Sequence, residues 1–293
     1  MNDYSKKWVY LILLSLVWGS SFILIKKALL GLTPLQLGGL RIVFASLVLF
    51  LFGYRSLKTI NPKDWKWIIA AGLLSSFFPP FLFAVAQTEI DSGVTSIFNS
   101  VVPLLTTVVG IVAFGALVTK RQILGVVIGL LGTLALIMAG MEFKPDRNYV
   151  FAIFILISAV GYAFNINIIK KHLAHLSPLA VTTGSFAIAF LPALLLVSFS
   201  GFFPEFENNE AMHTALWYLL ALAIIGTSLA NIFFNKLIHL SSPVFAASVA
   251  YLIPLVALLW AVWDGETMNG YQLFGGVIIL LGVWLVNRRK KVG

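Results

Sequence analysis

Gly93 to Leu117 reads GVTSIFNSVVPLLTTVVGIVAFGAL, and after the basic turn VTKRQ the chain continues from Ile123 to Gly140 as ILGVVIGLLGTLALIMAG. This is an apolar helix with a central proline, followed by a helix studded with glycines. The pattern returns near the C-terminus, where Pro243 to Val286 reads PVFAASVAYLIPLVALLWAVWDGETMNGYQLFGGVIILLGVWLV. Pro254 answers Pro103 at an interval of 151 residues, and Gly265, Gln272, Gly275 and Gly282 answer Gly115, Gln122, Gly125 and Gly132 at 150. Self-similarity of this length marks two copies of one unit.

The first parts of the two copies agree at a different interval, 144 residues: Pro34 with Pro178, Trp18 with Tyr162, Lys26 and Lys27 with Lys170 and Lys171, Arg41 with Ser185. The expected units are residues 1–145 and 146–293.

Composition settles the class. Sixty per cent of the residues are apolar, 11% are charged and the mean hydropathy is +0.97, whereas a soluble domain carries about 25% charged residues. A spanning helix takes about 20 apolar residues. Ten such stretches can be marked, near 8–30, 34–53, 65–88, 92–115, 121–140, 148–170, 178–200, 213–236, 243–263 and 271–287. The expected fold is therefore an all-α integral membrane protein, because backbone facing lipid must satisfy its own hydrogen bonds. The first stretch starts after Lys6 and Lys7, but its apolar run to Ile25 is longer than a signal peptide's and no A-x-A site follows. The chain has no Cys, which removes disulfides, thiolate nucleophiles and cysteine metal sites.

Orientation follows from the basic residues. With a cytoplasmic N-terminus, fifteen of the 20 Lys and Arg fall on the cytoplasmic side, four (Lys26, Lys27, Lys144, Arg147) on the other, and Arg41 lies within a span. Both termini are expected in the cytoplasm, and the net charge of +9 is the footprint of topology at an anionic membrane face, not of nucleic-acid binding. Five helices per unit is an odd number, so the second unit is expected upside down relative to the first. This is the inverted-repeat plan of many secondary transporters, with a site near the midplane between the repeats.

These residues also resemble the EamA family of the drug/metabolite transporter superfamily. Trp18-Gly19-Ser20-Ser21-Phe22 with Lys26, Pro34 with Leu40-Arg41, and then Pro103 and Gly115 fall where that family's repeat has them. The second half adds Pro254, Gly265-Glu266, Gln272, Gly275 and Gly282. The resemblance implies ten helices in two inverted EamA units, a bacterial inner membrane, and movement of small organic metabolites, often outward. One departure stands out: Ala116 occupies the place where the second half keeps Glu266.

Polar groups within spans are costly and so are functional candidates. Arg41 either snorkels to the surface, pairs with a fixed acid, or meets substrate. Lys26 and Glu266 fall toward the same, outer face, and the three together form a candidate electropositive vestibule or gate for a carboxylate. Asn99 lies one turn before Pro103 and Tyr251 three residues before Pro254, at helices expected to bend. Asn165 and Asn231 either line the path or bond between helices. Trp18, deep in its span, is a cavity candidate with its counterpart Tyr162. Pro79 and Pro80 are expected to break the third helix amid phenylalanines. The glycine faces of the fifth and tenth helices read as close packing or a dimer contact.

No Asp or Glu lies in the middle of a predicted span and the His residues fall in loops or at helix ends, which disfavours a buried-carboxylate proton antiporter. No cofactor and no metal is expected, since no ligand cluster has useful spacing. The expected partners are a small-molecule substrate and membrane lipids, the expected assembly a monomer or homodimer. An enzyme would need a catalytic pair within the membrane, and the sequence offers none. An amino acid or similar zwitterion suits one basic group among neutral polar and aromatic ones; the alternative cargo is a drug or other amphiphilic or cationic compound.

Overall fold

A computed structural model describes residues 3–139, 148–207, 209–263 and 270–287. Glu266 lies outside them. Among the described residues every regular element is helical. The long elements are α1 (Asp3–Ala28), α2 (Pro34–Gly53), α3 (Trp65–Glu89), α4 in two pieces (Ser92–Asn99 and Val102–Phe114) and α5 (Lys120–Met138). They are followed by α6 (Ala152–His172), α7 (Pro178–Ser198), α8 (Glu210–Leu240), α9 in two pieces (Pro243–Ala247 and Val249–Trp263) and α10 (Gly270–Asn287). Among the described residues eight helices are long and apolar enough to cross a membrane, and Pro243–Val256 is a shorter apolar one.

The starts of these helices are written locally. Thr33 caps α2 through a reciprocal box with Gln36 and Ser177 caps α7, each followed by a proline in the first turn. The cap satisfies an orphan N–H, and proline there has no N–H to lose. Thr33 and Ser177 are themselves 144 residues apart.

Two irregularities recur in both halves. Helix α3 widens into a π-turn at Gly72–Phe77 and α8 does so at Ile224–Leu229. Helix α4 is interrupted at Ser100 and Val101, and α9 at Ser248. One expectation needs correction here: Pro79 and Pro80 do not break α3, because the helix runs through its π-turn and on to Glu89. Pro254 lies inside the second piece of α9, six residues beyond Ser248.

Packing is mutual between the halves. Helix α5 packs on α10 and α2 on α7; α1 packs on α9 and α8, and α6 on α4 and α3. Exchanging each helix for the one five places along leaves this set of pairs unchanged. The α5–α10 seam uses the glycine faces on each other: a Cβ at Gly282 would come within 2.5 Å of the Gly129 nitrogen, and one at Gly132 within 2.6 Å of the Ile279 nitrogen. These small residues serve contact within the molecule, where backbones approach too closely for any side chain.

Candidate functional site

Residues from eight of the long helices converge on a central cavity of about 110 Å³, while α5 and α10 contribute none. The irregular segments supply much of its wall. Ser75 and Ser76 come from the π-turn of α3 and Thr227 from that of α8; Asn99 ends the first piece of α4, and Ala247 and Val249 flank the interruption of α9. Pro79 and Pro80 offer no N–H, so carbonyls in the turn around Ser75 and Ser76 lose helical donors beside the cavity. In the same way Pro254 releases the carbonyl four residues earlier, that of Ala250, which lines the wall with Asn99.

Of the residues singled out in the sequence, Trp18, Arg41, Pro80, Asn99, Tyr162, Asn165 and Asn231 line this one cavity. Trp18 Nε1 donates to the Gly226 carbonyl at 3.0 Å, which ties α1 to the π-turn of α8. Arg41 Nε donates to Thr227 Oγ1 at 2.7 Å, and Thr227 Oγ1 donates on to the Leu222 carbonyl at 2.8 Å. Asn231 Nδ2 donates to the Thr227 carbonyl at 2.8 Å. Around these polar groups stand Phe22, Phe83, Phe186 and Phe234, with the Trp18 and Phe234 rings edge-on at 5.0 Å.

Other candidates are placed elsewhere. Tyr251 is fully buried away from the cavity, its hydroxyl donating to the Val126 carbonyl of α5 at 2.7 Å. Lys26 does not line the cavity: it points to Asp91 at 3.8 Å with its side chain 62% exposed. Pro103 is buried beyond the wall, and the vestibule pairing with Glu266 falls outside the described residues.

Two features of the electrostatics stand out. Among the described residues no acidic side chain pairs with Arg41, whose guanidinium makes the single bond to Thr227. Among the described residues the buried acceptors Asn99 Oδ1 and Asn165 Oδ1 have no hydrogen-bond partner. A cation in an apolar-walled site seeks an anion, and a buried amide oxygen seeks a donor. The cavity thus offers one anion-seeking group and two donor-seeking groups between aromatic walls.

Sequence reading passed over Ser75, Ser76 and Thr227. Their signal was present: Ser75-Ser76 and Thr227-Ser228 are hydroxyl pairs inside apolar runs, 152 residues apart.

The comparisons agree with this architecture. The profile of the EamA-like transporter family matches residues 6–138 and again 150–288, and the chain belongs to that family of membrane transporters. It is 28% identical over 285 residues to a probable amino-acid metabolite efflux pump of Salmonella typhimurium, covering 94% of this chain and 92% of that one. It is 25% identical over 291 residues to a probable amino-acid metabolite efflux pump of Escherichia coli K12, covering 96% and 94%. The uncharacterized inner membrane transporter YedA of the same strain is 28% identical over 287 residues, covering 93% and 90%. A protein of known crystal structure superposes with a TM-score of 0.72 over 97% of this chain and 96% of its own, at 17% identity, so the fold is shared.

Proposed function

We propose that this transporter exports amino acids or related zwitterions by alternating access. Ten spans form two inverted five-helix units, 1–145 and 146–293, in a bacterial inner membrane with both termini cytoplasmic. The observation that carries the substrate class is the pairing of an acid-free Arg41 with the unpartnered oxygens of Asn99 and Asn165 in one cavity. Arg41 takes the carboxylate in a charge-assisted bond. The amide oxygens take the ammonium, and the phenylalanines and Trp18 take an apolar side chain. The relatives' names support the class, and the exchange symmetry of the helix pairs supports the inverted plan. The cavity lies within one chain, so a monomer or each subunit of a homodimer in lipid would carry a complete site.

The cargo leaves by facilitated export or exchange, because no carboxylate among the cavity residues can carry a coupled proton. The test is efflux of a labelled amino-acid pool from liposomes containing the purified protein, with and without a proton gradient. Faster loss than from empty liposomes, indifferent to the gradient, is the expected result. If only amphiphilic cations move, the alternative cargo holds and Arg41 has another role. Gradient-dependent movement would overturn the uncoupled mechanism.

A further inference from the structure

The cavity is wide toward one end of the bundle and pinched toward the other. The main cavity reaches Ile25 and Phe83 on the Lys26 side. A second pocket of about 10 Å³, room for roughly one water, shares Ser75, Ser76, Asn165, Phe186 and Asn231 with it and runs on to Ile169, Thr182 and Asn235. Ile25 and Ile169 are 144 residues apart, each immediately before one of the matched lysines. The two pockets therefore occupy matching halves of a path, one broad and one nearly closed.

The matched lysines differ in the same sense. Lys170 Nζ donates to the carbonyls of Ile238, His239 and Ser241 at 3.1, 3.2 and 2.7 Å, three acceptors at the end of α8. These are end-of-helix carbonyls without intrahelical donors, where a cation is favoured. On the same pinched side Asn235 Nδ2 of α8 donates to Thr182 Oγ1 of α7 at 2.8 Å. The corresponding helix end in the first half, at Glu89, is not held this way: Lys26 reaches none of its carbonyls and only approaches Asp91 at 3.8 Å.

We propose that Lys170 and Lys26 are alternating latches of the transport cycle. In this state Lys170 clamps the end of α8 beside the pinched pocket at Ile169, while Lys26 holds no helix end and the wide cavity reaches Ile25. In the opposite state Lys26 closes on the end of α3 and Lys170 lets go of α8. The inference rests on the alternating-access reading, but its test needs no substrate, so a wrong cargo leaves it standing or falling by itself.

The chain has no Cys, so single-cysteine variants report directly on access. Ile169→Cys and Ile25→Cys, in vesicles of both orientations, are labelled with a membrane-impermeant maleimide. Lys170→Met should raise labelling of Ile169→Cys and lower that of Ile25→Cys, by about tenfold for a lost charged hydrogen bond. Lys26→Met should do the reverse, and Lys170→Arg should keep the original pattern. If both Met variants shift labelling in the same direction, or fold normally and shift neither site, the latch pair is wrong. A lower melting temperature for Lys170→Met with unchanged labelling would make Lys170 only a helix cap. If Lys170→Met does not fold, the exposed Lys26→Met still decides the matter, since the proposal requires it to raise labelling at Ile25→Cys.

Discussion

Arg41 is a positive charge enclosed by an apolar bundle with one hydroxyl for a partner among the described residues. In the proposed mechanism the carboxylate of the substrate offsets its desolvation cost. Replacing it with Gln should raise the Kd for a zwitterionic substrate by roughly ten- to a hundredfold, the scale of a charged hydrogen bond, with Lys intermediate because it lacks the bidentate fork. Substrate-induced quenching of Trp18 fluorescence would measure this. The neighbouring asparagines separate function from packing. Asn167 donates to the carbonyls of Thr106 and Ala163 at 3.0 and 2.9 Å, whereas Asn165 leaves its oxygen unpaired. Asn167→Leu should therefore cost about 1–3 kcal/mol of stability. Asn165→Leu should leave the melting temperature in detergent unchanged or higher while efflux falls.

At the scale of elements, the π-turns and the α5–α10 seam do opposite jobs. The π-turn of α8 presents the Gly226 carbonyl to Trp18, so its cost is offset by a bond from another helix. Trp18→Phe keeps the ring but orphans that carbonyl, and should destabilise by about 1–3 kcal/mol with a larger loss of transport, read as melting temperature against efflux rate. The seam is rigid instead. Gly282→Ala must push a Cβ against the Gly129 backbone, so thermal stability should drop by an overpacking cost of about 1–3 kcal/mol. Gly270→Ala, with nothing within 4 Å, should be silent in the same assay.

For the whole molecule, the distribution of Lys and Arg predicts both chain ends on one side. A fluorescent-protein fusion at the C-terminus should fluoresce in the cytoplasm, and an alkaline phosphatase fusion at the same point should be inactive. A C-terminus on the far side would leave an odd number of crossings and remove the inverted plan with it. Both halves contribute to one cavity, through Arg41 and Asn99 from the first and Asn165 and Thr227 from the second. Neither half alone should bind substrate, which expression of each half by itself, set against co-expression of the two, would check.

The sequence by itself determined the membrane class, the position of nearly every helix and the twofold recurrence. These depend on local hydropathy, on caps such as Thr33 and Ser177 and on spacing along the chain, all of which are one-dimensional. It also picked out Trp18, Arg41, Asn99, Tyr162, Asn165 and Asn231, because polar or amphipathic groups deep in a span are rare. Only the tertiary structure decided which way each side chain faces. Tyr251 and Asn99 stand at nearly the same distance before matched prolines, yet α9 is interrupted earlier than α4, and the cavity position equivalent to Asn99 is Ala250. In lipid an outward face and a packed face are both apolar, so hydrophobicity cannot tell them apart. The bond of Arg41 to Thr227 and the clamp of Lys170 on α8 join partners more than 50 residues apart in the chain. No local pattern encodes those contacts.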